Sequence, residues 1–319
     1  MNVKNSNYIR FIDEALELAK TIPRYFSRFS NKIFCNQQKI VLLVLKQKLN
    51  VSYRDLIEFL KISGDISLMI GLKRIPHHTT LVKFAKKISS SLLVLLLPFR
   101  KAKTVAVDAT GFELDKKSYY YRKITQDIFN NRRKTRRFMK LSIVADMDKQ
   151  LILKFKIRRD YKKCNLEFRS MLKDLNFDYV IADKGYDSYA NRNFVIRKLK
   201  SIPIIPVRRY SNYYGSHNNG RKIDGKNYHQ RSKVETIFSV IKRKYGSYLK
   251  ARTFNSQVKE LILKLVAYNA ERLSKLTYLI FEGFSRADKR YILKLKIKII
   301  TMYNFNEIEK NSLKNVKSI

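Results

Sequence analysis

Three carboxylates in this chain, Asp108, Asp183 and Glu235, are placed where they could act together. Asp108 follows the apolar run Val105-Ala106-Val107, and Asp183 follows Val180-Ile181-Ala182. Each reads as an acid at the end of a short buried strand. If the two strands are parallel neighbours, both acids emerge at one sheet edge, where open α/β sheets bind ligands. Glu235 lies in Tyr228-x2-Arg231-x3-Glu235-x6-Lys242. On a helix turning about 100° per residue, those four side chains fall within about 60° of one another. One face then carries an acid, two cations and a phenol, which suits a phosphodiester. Clustered acids repel one another unless cations sit between them. Oxygen donors without histidine or cysteine favour Mg²⁺ or Mn²⁺. Two such ions would activate a water or a 3′-hydroxyl and stabilise the leaving 3′-oxygen of an in-line displacement. Taken singly, each acid has a plainer reading as a turn or cap residue or, for Glu235, as the i+4 salt-bridge partner of Arg231. Their order and their elements together make them one site.

The elements that must hold these residues follow from periodicity. Residues 8–90 read as helical, with Phe11, Ala15, Leu18 and Ala19 at helical spacing and apolar stretches at 40–45 and 56–60. Ser52 and Thr79 are expected to cap helices, the second running through Ile88. A last helix bearing Lys83, Lys86 and Lys87 fits a helix-turn-helix module, and a plain helical bundle fits nearly as well. After Pro98 the period changes. Strands are expected at 104–107, 138–145 and 151–157, the last two joined by a turn at Asp146-Met147-Asp148-Lys149. A helix at 166–175, a strand at 179–182, a helix near 189–200 capped by Asp187, and a strand at 202–207 follow. Pro203 and Pro206 place that last strand at an edge. A polar loop with Tyr210, Tyr213 and Tyr214 precedes the Glu235 helix, whose stripe Val234, Ile237, Ile241 and Tyr245 packs on the sheet and which Gly246 ends. The expected fold is therefore α/β: a mixed sheet flanked by helices in the ribonuclease-H order, with an N-terminal all-helical domain. The boundaries are 1–100 for the helical, DNA-binding part, 101–275 for the catalytic part, and 276–319 for a basic extension without an assigned role.

The chain has 319 residues, 45% of them apolar, enough to bury a sizeable core. Its net charge is +42, from 68 Lys+Arg against 26 Asp+Glu. Residues 1–100 hold 17 basic and 6 acidic residues, and the remainder 51 and 20, so both parts are basic. Such an excess repels itself unless a polyanion neutralises it, and nucleic acid does so with counterion release. Cys35 and Cys164 form no CxxC, and the four histidines have no metal-ligand spacing, which argues against zinc and disulfides. A reducing cytoplasm suits this usage, with nucleoid association through DNA. No signal peptide is evident, and the apolar run 92–97 is too short to cross a membrane.

The third motif, Tyr-x2-Arg-x3-Glu-x6-Lys, resembles the signature of DDE transposases from bacterial and archaeal insertion sequences. Val107-Asp108-Ala109-Thr110-Gly111-Phe112 and Ala182-Asp183-Lys184-Gly185-Tyr186-Asp187 are similar to the first and second acid boxes of the insertion-sequence five group. Pro76-His77-His78-Thr79-Thr80-Leu81, Arg252-Thr253-Phe254 and Tyr268-Asn269 resemble other parts of the family, so that the likeness spans about residues 35–275. The resemblance implies a ribonuclease-H-like core and a Mg²⁺-dependent cut-and-paste reaction. Asp108, Asp183 and Glu235 would be catalytic and metal-binding, Arg231 and Lys242 would hold DNA phosphates, and Tyr228 would line the site. The separations are 75 and 52 residues, and the second leaves no room for a large inserted domain. Arg132, Arg133, Lys134, Arg136 and Arg137 form a basic run that would grip DNA or else a solvated loop. Some related transposases stack a flipped base on tryptophan; this chain has none, and Tyr213 or Tyr214 could serve instead. The expected partners are terminal inverted repeats and target DNA, with a homodimer in the synaptic complex. The competing readings are an inactive or repurposed DNA-binding protein, and a plain nuclease on the same fold.

Overall fold

Amphipathic periodicity accounts for the first elements of the chain. In the computed structural model, which describes residues 6–97, 99–114, 138–159, 165–207 and 228–282, helix α1 spans Asn7–Ala19. Ser6 caps it by accepting from the Tyr8 N–H at 3.3 Å, and Phe11, Ile12, Ala15, Leu18 and Ala19 are buried. Helix α2 (Asn36–Leu49) is buried all round from residue 40 to 45, the pattern of a central rather than a surface helix. Helix α3 (Tyr53–Ile62) buries only Leu56, Ile57 and Leu60. Helices α4 (Gly64–Met69), α5 (His78–Lys87) and α6 (Ser90–Val94) follow. Thr79 is not the cap of α5. The helix begins one residue earlier, at His78, and the Thr79 hydroxyl is bonded instead to His77 Nδ1 at 2.9 Å. The structure divides into two compact units: Met1–Leu45 with Tyr53–Pro98 and Asn269–Ile319, and Lys46–Ser52 with Phe99–Tyr268. The described elements of the first unit are all helical.

The second unit is built on a five-stranded sheet, ordered β3-β2-β1-β4-β5. Strands β1 (Thr104–Glu113), β2 (Phe138–Asp146) and β3 (Ile152–Arg158) pair antiparallel in succession. Helix α7 (Asn165–Leu172) then leads to β4 (Tyr179–Ala182), parallel to β1. Helix α8 (Tyr189–Asn193) runs on as a π-type turn, Phe194–Lys198, before β5 (Ile202–Ile204), parallel to β4 at the sheet edge. Helices α9 (Ser232–Tyr245) and α10 (Phe254–Glu282) complete the described chain. The expected order of strands and helices is the observed one. The β5 strand stops at Ile204, short of Pro206, which has no N–H to donate to a ladder.

Alternation along β1 assigns its two faces. Val105 and Val107 join Val144, Val180 and Ala182 in a core closed by Phe168, Met171 and Leu172 of α7 and Val195. Each such burial contributes about 1.5–3 kcal/mol, and this layer holds a β4 strand of only four residues. Ala106, Asp108, Thr110 and Phe112 alternate to the other face, and α9 packs against β1. The strand was expected to end at 107 but runs to Glu113. Antiparallel pairing with β2 continues to Glu113↔Phe138, whereas parallel pairing with β4 stops at Val107↔Ala182. Gly111 does not break it; a Cβ there would make an ordinary contact with the Phe138 ring at 3.4 Å.

Candidate active site

Asp108 lies one residue beyond the last β1–β4 pair, and Asp183 directly follows β4. Neighbouring strands run about 4.8 Å apart, so the two acids leave the ladder side by side. What positions Asp108 is an end of pairing within a longer strand. Its Oδ1 accepts from the N–H of Ala109 at 2.8 Å. Asp183 caps a 3₁₀ turn, Lys184–Tyr186, by accepting from the Lys184 N–H at 2.7 Å. Tyr186 anchors that turn in the core, its ring 5.5 Å from Phe168. Asp187 is not the cap of α8: Ser188 is, accepting from Asn191, while Asp187 pairs with Arg192 at 2.8 Å.

Glu235 stands in the first turn of α9, behind a 3₁₀ turn, His229–Arg231. The expected apolar stripe is buried: Val234, Ile237, Phe238, Ile241 and Tyr245. Arg231 links the second and third motifs. Its Nη2 donates to Glu235 Oε1 at 2.6 Å, and its Nη1 lies 3.6 Å from Asp183 Oδ1 and donates to the Tyr228 hydroxyl at 3.5 Å. Its Nε is buried with no acceptor among the described residues. Lys242, two turns along α9, donates to the Thr110 hydroxyl at 2.7 Å and lies 5.6 Å from the Phe112 ring centroid. Of the four residues expected on one helical face, Glu235 and Lys242 lie on α9, whereas Arg231 precedes it in the 3₁₀ turn and Tyr228 stands at the N-cap of that turn. Arg132, Arg133, Lys134, Arg136, Arg137, Tyr213 and Tyr214 lie outside the described residues.

The electrostatics follow from this crowding. Burial raises the Asp108 carboxyl above its ordinary range; the Ala109 N–H and Arg231 oppose the rise, and Glu235 and Asp183 add to it. Burial alone would lower the Arg231 guanidinium, but Tyr228, Asp108 and Asp183 outweigh it and raise it. Lys242 is lowered by burial, with Glu113 opposing. In donor chemistry the three acids fit a hard divalent cation, for they offer carboxylate oxygen alone. In geometry, no group of three acids, histidines or cysteines among the described residues is set to hold one ion. The Arg231 guanidinium engages the Glu235 carboxylate and reaches Asp183.

Three supports were not read from the sequence. Thr110 receives Lys242, although it stands inside the first acid box. Lys264 of α10, its side chain only 2% exposed, donates to the carbonyls of Gly246 and Tyr248, both at 2.9 Å, and so fixes the chain where α9 ends. Its signal was a lone cation within the apolar run 261–270. Glu167 of α7, also 2% exposed, faces Arg158 at 2.6 Å, Lys140 at 3.4 Å and the Ser142 hydroxyl at 2.9 Å, tying α7 to β2 and β3.

No curated protein matches the chain. Among solved structures it is similar to a piggyBac transposase, determined by cryo-EM as a synaptic complex with hairpin DNA, at 10% identity over 99% of this chain and 85% of that one, with a TM-score of 0.49. The family model described as the transposase DDE domain matches residues 100–270, over half of the 319-residue chain and inclusive of Asp108, Asp183, Glu235, Arg231 and Lys242. The chain thus belongs to the DDE-domain transposases.

Proposed function

We propose that the chain is the transposase of an insertion sequence of the insertion-sequence five group, cutting at the transposon end to free a 3′-hydroxyl and joining that hydroxyl to target DNA. The observation that carries this reading is the convergence of three distant segments: Asp108 and Asp183 on paired strands, and Glu235 joined to Asp183 through Arg231. The strand order, with three antiparallel strands followed by two parallel ones, supports a ribonuclease-H-like core. In this reading residues 101–275 are the catalytic domain and 1–100 a helical DNA-binding domain, with a homodimer in the synaptic complex and terminal inverted repeats and target duplex as partners.

Asp108, Asp183 and Glu235 would hold Mg²⁺ or Mn²⁺, which when bound supplies Lewis-acid activation of the attacking oxygen and stabilises the leaving one. The protein's own part is positional. Asp108 and Asp183 are held by short hydrogen bonds to the following N–H groups. Arg231 must turn from Glu235 toward a phosphate for Glu235 to face the other two acids. The Tyr228 hydroxyl, which accepts from the guanidinium at 3.5 Å, would steady that turn. Lys242, supported by Thr110 and Phe112, offers a second cation to the backbone.

The test begins with the flanks of the gene, where inverted repeats and a short target duplication are expected. Pre-cut ends bearing these repeats are then incubated with plasmid and Mg²⁺. Joined product from the wild type and none from Glu235→Gln supports the reading. Cleavage without joining would indicate a plain nuclease, and DNA binding without either would indicate a repurposed binding protein.

A further inference from the structure

Beyond the acid centre, the second unit holds a groove of about 670 Å³ whose wall is an extension of β1. The Glu113 N–H donates to Ser247 O at 3.2 Å, and the Leu249 N–H donates to Glu113 O at 2.8 Å, so residues 247–249 lie along the end of the catalytic strand. Lys250, Arg252 and Arg159 line the groove together with Leu114 and Tyr248, and no described lining residue is acidic. The nearby Glu260 carboxylate is engaged by the N–H groups of Lys250 and Ala251, at 3.1 and 2.8 Å.

Arg159 is fixed rather than loosely placed. Its Nη2 donates to Gln257 Oε1 at 2.8 Å, and its guanidinium lies 4.8 Å from the centroid of the Phe254 ring. Gln257, 4% exposed, also donates to Ala251 O at 2.9 Å, so one buried amide joins the arginine to the opposite wall. Arginine held by an amide and an aromatic face loses little freedom on meeting a planar or tetrahedral anion. The groove also lies in line with the other cations. Thr110, which receives Lys242, is two residues past Asp108, and Leu114 is six residues past it. At about 3.4 Å per strand residue these are about 7 and 20 Å from Asp108. Duplex DNA carries one charge per about 1.7 Å of axis, with a rise of about 3.4 Å per strand.

We propose that this groove binds the phosphodiester backbone of the DNA about six base pairs from the cut, with Arg159 and Arg252 as its phosphate contacts and Lys242 as the step between it and the acids. The inference rests on the transposase reading above.

The test measures binding of the full chain in EDTA to a duplex of about 40 base pairs as salt is varied. Each lost phosphate contact lowers the salt slope by about 0.9. The double variant Arg159→Ala, Arg252→Ala should therefore lose about 1.8 of slope, and its deficit against wild type should shrink about twelvefold between about 50 and 200 mM salt. Lys173→Ala, which removes one positive charge at an exposed turn, should leave the slope as it is. Arg159→Lys with Arg252→Lys should restore it, which separates lost charge from lost folding. On a pre-cut end, a neutral methylphosphonate about six base pairs from the cut should weaken wild type and leave the double variant unaffected. A wild-type slope in the double variant overturns this site alone. Displacement of DNA by inorganic phosphate at matched ionic strength would make it a free-anion site and also overturns it. Failure of wild type to bind DNA at all would remove the transposase reading itself.

Discussion

Replacing Lys264 by methionine asks what a buried cation does behind the Glu235 helix. Lys264 is 2% exposed, and burial pushes its ammonium from 10.5 down to about 8, with Glu260 opposing and Lys250 and Lys46 adding to the fall. Its protons bridge the carbonyls of Gly246 and Tyr248, which methionine would leave without that donor at about 1–3 kcal/mol each. That loss does not depend on pH. The ionisation does. Between pH 8 and 10.5 the unfolded chain keeps the lysine proton while the folded chain has lost it, so stability rises with pH through this window. The penalty of the buried charge is fully present below pH 8 and is relieved by pH 10.5. A depression from 10.5 to about 8 corresponds to about 3 kcal/mol. Urea denaturation of both proteins, followed by circular dichroism at several pH values from about 7 to 10.5, should show wild type gaining about 3 kcal/mol relative to Lys264→Met. Parallel stability curves across that range would refute the assignment of a buried, charged Lys264.

Other perturbations bear on the same frame. Glu167→Gln leaves Arg158 and Lys140 without their buried counter-charge and should cost about 3–5 kcal/mol, read from chemical denaturation. Gly246→Ala should cost about 1–3 kcal/mol by the same measure, because φ is +89° there, a conformation that side chains disfavour. Arg231→Ala removes the cation between the acids and should cost about 1 kcal/mol in EDTA, these pairs being partly exposed. The deficit should shrink when excess Mg²⁺ is added, as read by thermal melts with and without the ion.

Much of the site was legible because its signals are local. The apolar triplets before Asp108 and Asp183, and the helical spacing of Tyr228, Arg231, Glu235 and Lys242, each lie within a few residues. The strand order was legible for the same reason, since each strand carries its own apolar run. Strand length was not: β1 runs to Glu113 only because β2 pairs with it there, and pairing between distant segments leaves no local mark. The caps at Thr79 and Asp187 failed similarly. At the first, the Thr79 hydroxyl is bonded to His77, which holds the N-cap position without a side-chain cap; at the second, Asp187 is taken by Arg192 and the adjacent Ser188 caps. Lys264 and Glu167 look like surface charges in sequence, and only the packing of α10 and α7 buries them. Arg231 was legible as a partner of Glu235, but its reach to Asp183 depends on β4 ending beside it.

The central claim is that Asp108, Asp183 and Glu235 act as one centre, and single-turnover cleavage of an uncut transposon end in Mg²⁺ tests it most directly. Asp108→Asn, Asp183→Asn and Glu235→Gln should each bind the end as wild type does, melt within a few degrees of it, and cleave at least about a thousandfold more slowly, a loss of about 4 kcal/mol of transition-state stabilisation. Wild-type cleavage by any one of the three, folded and bound to DNA, would contradict the account.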